Sequence, residues 1–61
     1  MKNIIATAKN LGIEARKNGK TCVAAWDSKC VELAGTVTKG SLVFKAWVEG
    51  WNQENIKQAW N

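Results

Sequence analysis

The Asn18-Gly19 pair lies between two segments of mixed apolar and polar residues, and it is the feature that most constrains the fold. Both residues tolerate the positive φ of a type I′ turn, which makes Asn-Gly the strongest short-range signal for a β-hairpin. With this pair as the loop, residues 13–17 lie opposite residues 20–24. The sequence therefore predicts two antiparallel strands here.

Residues 30–49 are compatible with two structures. Five large apolar residues would form the stripe of a helix: Val43, Phe44, Trp47, Val48 and Trp51. Alternatively, a hairpin with Lys39-Gly40 as its loop makes every inward pair apolar or glycine, and residues 42–48 are mostly β-branched or aromatic. An Asp27-Ser28 loop would join the two hairpins in a register that a one-residue slip would destroy. This agreement favours strands.

The flanking segments have helical patterns. Residues 3–11 show apolar positions on one helix face, with Gly12 as a C-terminal stop. Residues 52–60 begin with a good N-cap residue, and Trp51 and Trp60 are assigned to the core. The predicted fold is a single α+β domain spanning residues 1–61, with an N-terminal helix, a four-stranded antiparallel meander and a short C-terminal helix.

The 61-residue chain can bury only about 60% of its unfolded surface, so its core must be rich in large side chains or gain from a second copy. Four tryptophans supply such side chains. Neither a membrane span nor a signal peptide is evident, and we expect a cytoplasmic protein with unpaired cysteines. The strands would place Cys22 on the apolar face and Cys30 on the outer face.

The composition argues against catalysis. The chain has no histidine, which removes the commonest general base and metal ligand. Its two cysteines match no zinc pattern, its five acidic residues are scattered, and no glycine-rich phosphate loop is present. We therefore expect a non-enzymatic protein with no metal, no cofactor and no small-molecule substrate.

The outer face of the predicted sheet is less polar than an exposed sheet face usually is. It suits another protein or a second copy of the chain, because tryptophan and apolar residues form interaction hot spots. The residues expected to bind such a partner are Trp47, Lys45, Val43, Val23 and Arg16. The main expectation is a small interaction module or inhibitor that covers a site on a larger protein, as phage and mobile-element accessory proteins do.

The charge distribution supports an alternative partner. Residues 1–30 hold six cations and two acids, whereas residues 31–61 are neutral. In a meander the first and third turns share one end of the sheet, where a basic rim would attract phosphates. The residues of this rim are Arg16, Lys17, Asn18, Lys20 and Lys39. With Trp47 as a stacking platform, the alternative is a regulator that binds single-stranded DNA or RNA.

Overall fold

The computed structural model describes residues 3–59, which form three α-helices and one short 3₁₀ turn. Helix α1 is Ile4–Lys17, the 3₁₀ turn is Ala24–Trp26, helix α2 is Ser28–Ala34 and helix α3 is Gly40–Ala59. Between residues 3 and 59 no residue belongs to a β-strand. The predicted α+β fold with its four-stranded antiparallel meander is therefore wrong, because the fold is all-helical.

Helix α1 begins where the sequence predicts and ends later. The Asn3 side chain caps it by accepting a hydrogen bond from the backbone N–H of Ala6 at 3.1 Å. The helix continues through Gly12, which is buried rather than terminal. The predicted stop at Gly12 is wrong. Gly12 stays helical because the backbone of Trp47 occupies the space that a side chain at Gly12 would need.

Asn18-Gly19 ends α1 instead of forming a hairpin. Gly19 has a φ of 73°, and its N–H donates to the Arg16 carbonyl at 3.0 Å. The Lys20 N–H donates to the Ala15 carbonyl at 2.9 Å. These two bonds form a Schellman motif, in which a left-handed glycine satisfies the last carbonyls of a helix. The positive φ expected at Gly19 is present, but the hairpin interpretation is wrong.

Asp27-Ser28 likewise starts a helix rather than a turn between strands. The Asp27 carboxylate accepts from the backbone N–H groups of Lys29 at 3.0 Å and Cys30 at 3.3 Å, which caps α2. The segment predicted as the second hairpin forms α2, a connecting turn and the first half of α3, so the helical stripe was the correct alternative.

Helix α3 contains the predicted C-terminal helix but starts much earlier. It runs without a break from residue 40 to residue 59, so Asn52 is an interior position and not an N-cap. The helical state predicted for residues 52–59 is confirmed. Trp60, which was assigned to the core, lies outside the described residues.

The contacts between the three helices define their relative directions. The start of α1 meets the first half of α3, where Ile5 and Leu42 line one groove, and the end of α1 meets its second half, where Arg16 bonds to Asn55. Helices α1 and α3 are therefore parallel. Helix α2 runs antiparallel to α3, because its N-cap Asp27 bonds to Trp47 whereas its end lies beside the start of α3.

Helices α1 and α3 cross with their backbones in direct contact at two glycines. A Cβ atom at Gly12 would overlap the Trp47 carbonyl oxygen, and one at Gly50 would overlap the Lys9 carbonyl oxygen. A glycine inside a helix costs about 1 kcal/mol relative to alanine. Here that cost is offset by the close packing of two helices, the largest contact in the fold.

The core is built mostly from small side chains. Its largest fully buried members are Trp47, Val43 and Cys30, and the remaining buried apolar residues are alanines: Ala8, Ala15, Ala24, Ala34 and Ala46. Conversely, several large apolar residues are exposed: Ile5, Trp26, Val31, Leu42 and Ile56. Among residues 3–59, no helix combines the length and the hydropathy that crossing a membrane requires.

Candidate interaction site

A cleft of about 460 Å³ opens between the second half of α1, the connecting segment and the start of α2. The buried indole of Trp47 contributes to its wall. Its other lining residues are Leu11, Glu14, Ala15, Asn18, Lys20, Thr21, Val23, Trp26, Asp27, Ser28 and Lys29. Clefts of this size fall in the range of small ligand sites and of pockets that receive one or two side chains of a partner.

Trp26 borders this cleft and is 78% exposed. Its backbone is fixed, because its N–H donates to the Val23 carbonyl at 3.0 Å and the next N–H, of Asp27, donates to the Ala24 carbonyl at 3.0 Å. Ala24 is buried and anchors the 3₁₀ turn to the core. The turn therefore holds a large aromatic side chain out in solvent on a fixed backbone.

Asp27 lines the cleft and joins three elements of the fold. One carboxylate oxygen caps α2 at Lys29 and Cys30, and the other accepts a hydrogen bond from Trp47 Nε1 at 2.9 Å. Three N–H donors thus converge on one side chain, which links the 3₁₀ turn, α2 and α3. This arrangement positions the neighbouring Trp26 relative to the core.

A second network fixes the connecting segment at the end of α1. Trp51 Nε1 donates to the Lys20 carbonyl at 3.0 Å, and the Arg16 guanidinium lies 5.7 Å from the centre of the Trp51 ring. Arg16 Nε also donates to Asn55 Oδ1 at 2.9 Å. A guanidinium at this distance from an aromatic ring gains a cation–π attraction. The network therefore holds Lys20 at the edge of the cleft.

The charges that line the cleft balance. Lys20 and Lys29 oppose Glu14 and Asp27, so the cleft carries both signs and no net charge. Burial, and secondarily the nearby Asp27 carboxylate, raises the pKa of the Cys30 thiol. Cys30 is consequently a neutral thiol that α2 packs into the core, because both effects disfavour its thiolate.

The structure separates the residues expected to bind a protein partner. The predicted outward position of Trp47 and Val43 is wrong, because they are 1% and 0% exposed and belong to the core. Lys45 is exposed on α3, and Arg16 is partly buried beside Trp51. Two residues of this set line the cleft, the half-buried Val23 and the buried Trp47.

The residues of the predicted basic rim fall into two places. Arg16, Lys17, Asn18 and Lys20 gather at the end of α1, where Lys17 approaches Glu14 at 3.9 Å. Lys39 precedes α3 at its opposite end, about 24 Å along the helix axis from the level of Arg16. The single rim predicted from two neighbouring hairpin tips is therefore wrong.

The cysteines occupy the reverse of their predicted positions. Cys22, expected in the core, is exposed, whereas Cys30, expected on the outer face, is fully buried. Residues 3–59 contain no group of three or more Cys, Asp or Glu side chains arranged to hold a metal ion. Neither cysteine therefore lies in a set of ligands within this part of the chain.

Trp26 is the site residue that sequence reasoning missed, since the strand pattern turned it inward. Its place directly before the N-cap Asp27 becomes informative only once the start of α2 is known. In a helix N-terminus this N′ residue commonly packs against N4, which is Val31 here. Both side chains are largely exposed, at 78% and 44%, so α2 begins with apolar surface open to a partner.

Comparison with known proteins finds no matching family model, no matching curated protein and no matching solved structure.

Proposed function

We propose that this protein is a non-enzymatic interaction module that binds another protein through Trp26 and the adjacent cleft. The supporting observation is Trp26 itself, a 78% exposed tryptophan on a 3₁₀ turn that is fixed by backbone hydrogen bonds and by the Asp27 cap. Tryptophan is enriched at the hot spots of protein interfaces, next to pockets that exclude water. A preorganised anchor also lowers the entropy lost on binding.

Burial of this anchor would supply a substantial part of a binding free energy. A tryptophan side chain presents roughly 150–250 Å². Because 78% of the side chain is exposed, a partner that buried this exposed part would gain about 3–5 kcal/mol at 25 cal/mol per Å². The exposed Val31 extends the apolar surface along α2. The balanced charges of Lys20, Lys29 and Glu14 at the cleft suit a partner with polar groups of both signs around an apolar contact.

The chemistry of the cleft favours binding over catalysis. The carboxylate of Asp27 already accepts three hydrogen bonds, so its lone pairs serve the fold and not a substrate. The chain has no histidine to act as a general base. The remaining cleft carboxylate, Glu14, is exposed and lies near Lys17.

A capture experiment tests this function. The purified chain, immobilised through a C-terminal tag, is exposed to nuclease-treated lysate of the source cells, and Trp26→Ala and Trp26→Phe are compared with it. We expect a protein that the wild type retains at 300 mM salt, that Trp26→Ala loses and that Trp26→Phe keeps in part. Equal retention by all three chains would refute the proposal. Circular dichroism checks that both variants keep the helical fold.

A second candidate, binding of single-stranded nucleic acid, is favoured by one observation. Lys20 and Lys29 line the same cleft as the exposed Trp26. Arg16 and Lys17 lie nearby, at the end of α1. A stacking aromatic flanked by cations is the usual site for single strands. It ranks second because Glu14 and Asp27 cancel the cleft charge. Binding of a fluorescent oligonucleotide that weakens steeply with salt, and is lost in Lys20→Glu, would establish it.

We also propose a cytoplasmic location. The support is that both cysteines are free thiols, with Cys22 exposed and Cys30 enclosed in the core. An oxidising compartment would expose an unpaired surface thiol to disulfide formation. Fractionation of the source cells, followed by immunodetection, measures where the protein resides.

A further inference from the structure

The side of α3 that faces away from the core carries a regular pattern. Leu42, Glu49 and Ile56 follow at seven-residue intervals, so they lie on one face of the helix, and Lys45 lies beside them. The two apolar residues are 48% and 58% exposed. The order along this outer face is apolar, charged, apolar, which makes it nearly symmetric about Glu49.

The two ends of the outer face differ in shape. From Leu42 to the central Glu49, a groove of about 230 Å³ is lined by Ile5 from α1 and by α3 residues. The α3 residues of this groove are Leu42, Lys45, Ala46 and Glu49. At the other end Ile56 stands exposed. Ile56 lies fourteen residues beyond Leu42, which is about 21 Å along the helix axis.

We propose that the outer face binds a second copy of this chain about a two-fold axis that passes through Glu49. Antiparallel pairing of the two α3 helices about that axis sets Leu42 of each copy opposite Ile56 of the other. Each Ile56 then fills the groove between Ile5 and Leu42 of its neighbour. A two-fold interface requires one surface to be complementary to itself, and Leu42, at the outer end of the groove, and the protruding Ile56 meet that requirement because both lie seven residues from Glu49.

The charges on the outer face agree with this pairing. Within residues 3–59 the one ion pair is Lys17–Glu14, so Lys45 and Glu49 form no salt bridge in the single chain. Pairing about Glu49 brings each Lys45 within one helical turn of Glu49 in the other copy. Two lysines and two glutamates then surround the axis; the two glutamates face each other there, and each lies between its own lysine and the lysine of the other copy. Opposite charges so arranged fix orientation and register.

The composition of the core explains why the chain would gain from a second copy. Its buried residues are chiefly alanines, while Ile5, Leu42 and Ile56 remain largely exposed. Oligomerisation is one of the few ways in which a domain of this size buries more apolar area. An unrelated protein could also cover an apolar groove, but it would not account for the symmetry of the groove, the charges and Ile56.

Charge reversal tests the pairing directly. The full chain and its variants are examined by sedimentation equilibrium from about 5 μM to 1 mM at 50 mM salt. We expect wild type to dimerise, and Lys45→Glu and Glu49→Lys each to weaken dimerisation at least tenfold through like charges at the axis. Equimolar mixing of these two variants should restore a dimer, because one copy then carries two glutamates and the other two lysines. The double variant Lys45→Glu/Glu49→Lys should also dimerise.

Two controls define the remaining outcomes. Ile56→Ser should weaken dimerisation at least tenfold, whereas Asn10→Ser, exposed on α1, should change it less than threefold. Because all these positions are exposed, the variants should keep the fold, and circular dichroism checks this. Wild type that stays monomeric to 1 mM overturns the proposal, as does a mixture of the two single variants that stays monomeric. Trp26→Ala should dimerise normally, which separates this proposal from the partner site.

Discussion

Asp27 shows how one side chain can determine both local structure and the presentation of a site. It caps α2, accepts a hydrogen bond from the buried Trp47 indole and directly follows the exposed Trp26. An N-cap is worth about 1 kcal/mol. Leaving a buried indole N–H without an acceptor costs about 1–3 kcal/mol more. This residue therefore contributes to the stability of the whole fold and not only to α2.

Asp27→Ala should lower the free energy of unfolding by about 2–4 kcal/mol, because it removes the cap and the indole acceptor together. Asp27→Asn keeps one carbonyl oxygen and can satisfy either role, so its loss should be smaller by about 1 kcal/mol. Urea denaturation followed by circular dichroism measures both. Equal stability of the two variants and the wild type would show that the network of Asp27 contributes nothing.

The two thiols should differ sharply in reactivity. Cys22 is exposed, whereas Cys30 is fully buried and its pKa is raised, chiefly by burial. At pH 8, Ellman's reagent should modify Cys22 quickly. It should modify Cys30 at least ~100-fold more slowly, because the fold must first open. Cys22→Ala should abolish the fast phase. A second fast phase in that variant would contradict the packing of α2.

The raised pKa of Cys30 also has a consequence for stability. In the unfolded chain the thiol ionises near its ordinary value of about 8.5, but in the folded chain it stays protonated to higher pH. Below the unfolded pKa its contribution is complete, and it is lost as pH rises through the folded pKa, because ionisation favours the unfolded state. Stability should therefore fall as pH rises above the unfolded-state pKa of about 8.5, and less so in Cys30→Ala, in urea titrations at each pH.

At the scale of the elements, the crossing of α1 and α3 depends on two missing side chains. Gly12→Ala and Gly50→Ala each improve helix propensity by about 1 kcal/mol, yet each places a Cβ onto a backbone carbonyl of the other helix. We expect both to lower stability by several kcal/mol or to prevent folding, since backbone atoms cannot move aside locally.

Gly35→Ala is the matched control for these two substitutions. Gly35 has a helical φ of −71°, and a Cβ there would lie 3.4 Å from the nearest atom, which is an ordinary contact. This variant should be neutral or more stable by up to about 1 kcal/mol. Thermal unfolding of all three variants decides the matter, and a tolerated alanine at Gly12 would mean that the helices cross elsewhere.

The same elements show how far sequence reasoning reaches. The start of α1, the helical state of residues 52–59 and the positive φ of Gly19 were predictable from local signals. The overall fold was not, because Asn18-Gly19 and Asp27-Ser28 serve equally as hairpin turns and as helix ends. A left-handed glycine suits both a type I′ turn and a Schellman motif. Local chemistry alone did not distinguish them.

The spacing of small residues does not separate the two folds. Ala8 and Gly12 are four residues apart, as are Ala46 and Gly50; all four are buried, and the two glycines lie at the crossing of α1 and α3. Such spacing places small residues on one face of a helix, but residues four apart also share a face of a strand. The candidate site could not be predicted, because the exposure of Trp26 depends on where α2 begins.

At the scale of the whole molecule, the two proposed surfaces lie on opposite sides of α3. The cleft beside Trp26 includes Trp47, whereas Leu42, Glu49 and Ile56 project from the other side of the same helix. A dimer formed through the outer face therefore leaves both clefts open. Two identical sites on one particle bind a multivalent partner with higher avidity than a single site does.

Dimerisation should make thermal stability depend on concentration. When two folded chains associate and unfolded chains do not, a tenfold rise in concentration above the dissociation constant stabilises each dimer by ~1.4 kcal/mol, or ~0.7 kcal/mol per chain. In a domain of this size that corresponds to a rise in midpoint of about 3–6 °C. Differential scanning calorimetry between 20 μM and 2 mM measures it. The midpoint of the Glu49→Lys variant should rise less over the same range, because four lysines around the axis weaken its dimer. A constant midpoint in the wild type would mean that the single chain, with its alanine-rich core, is the complete folding unit.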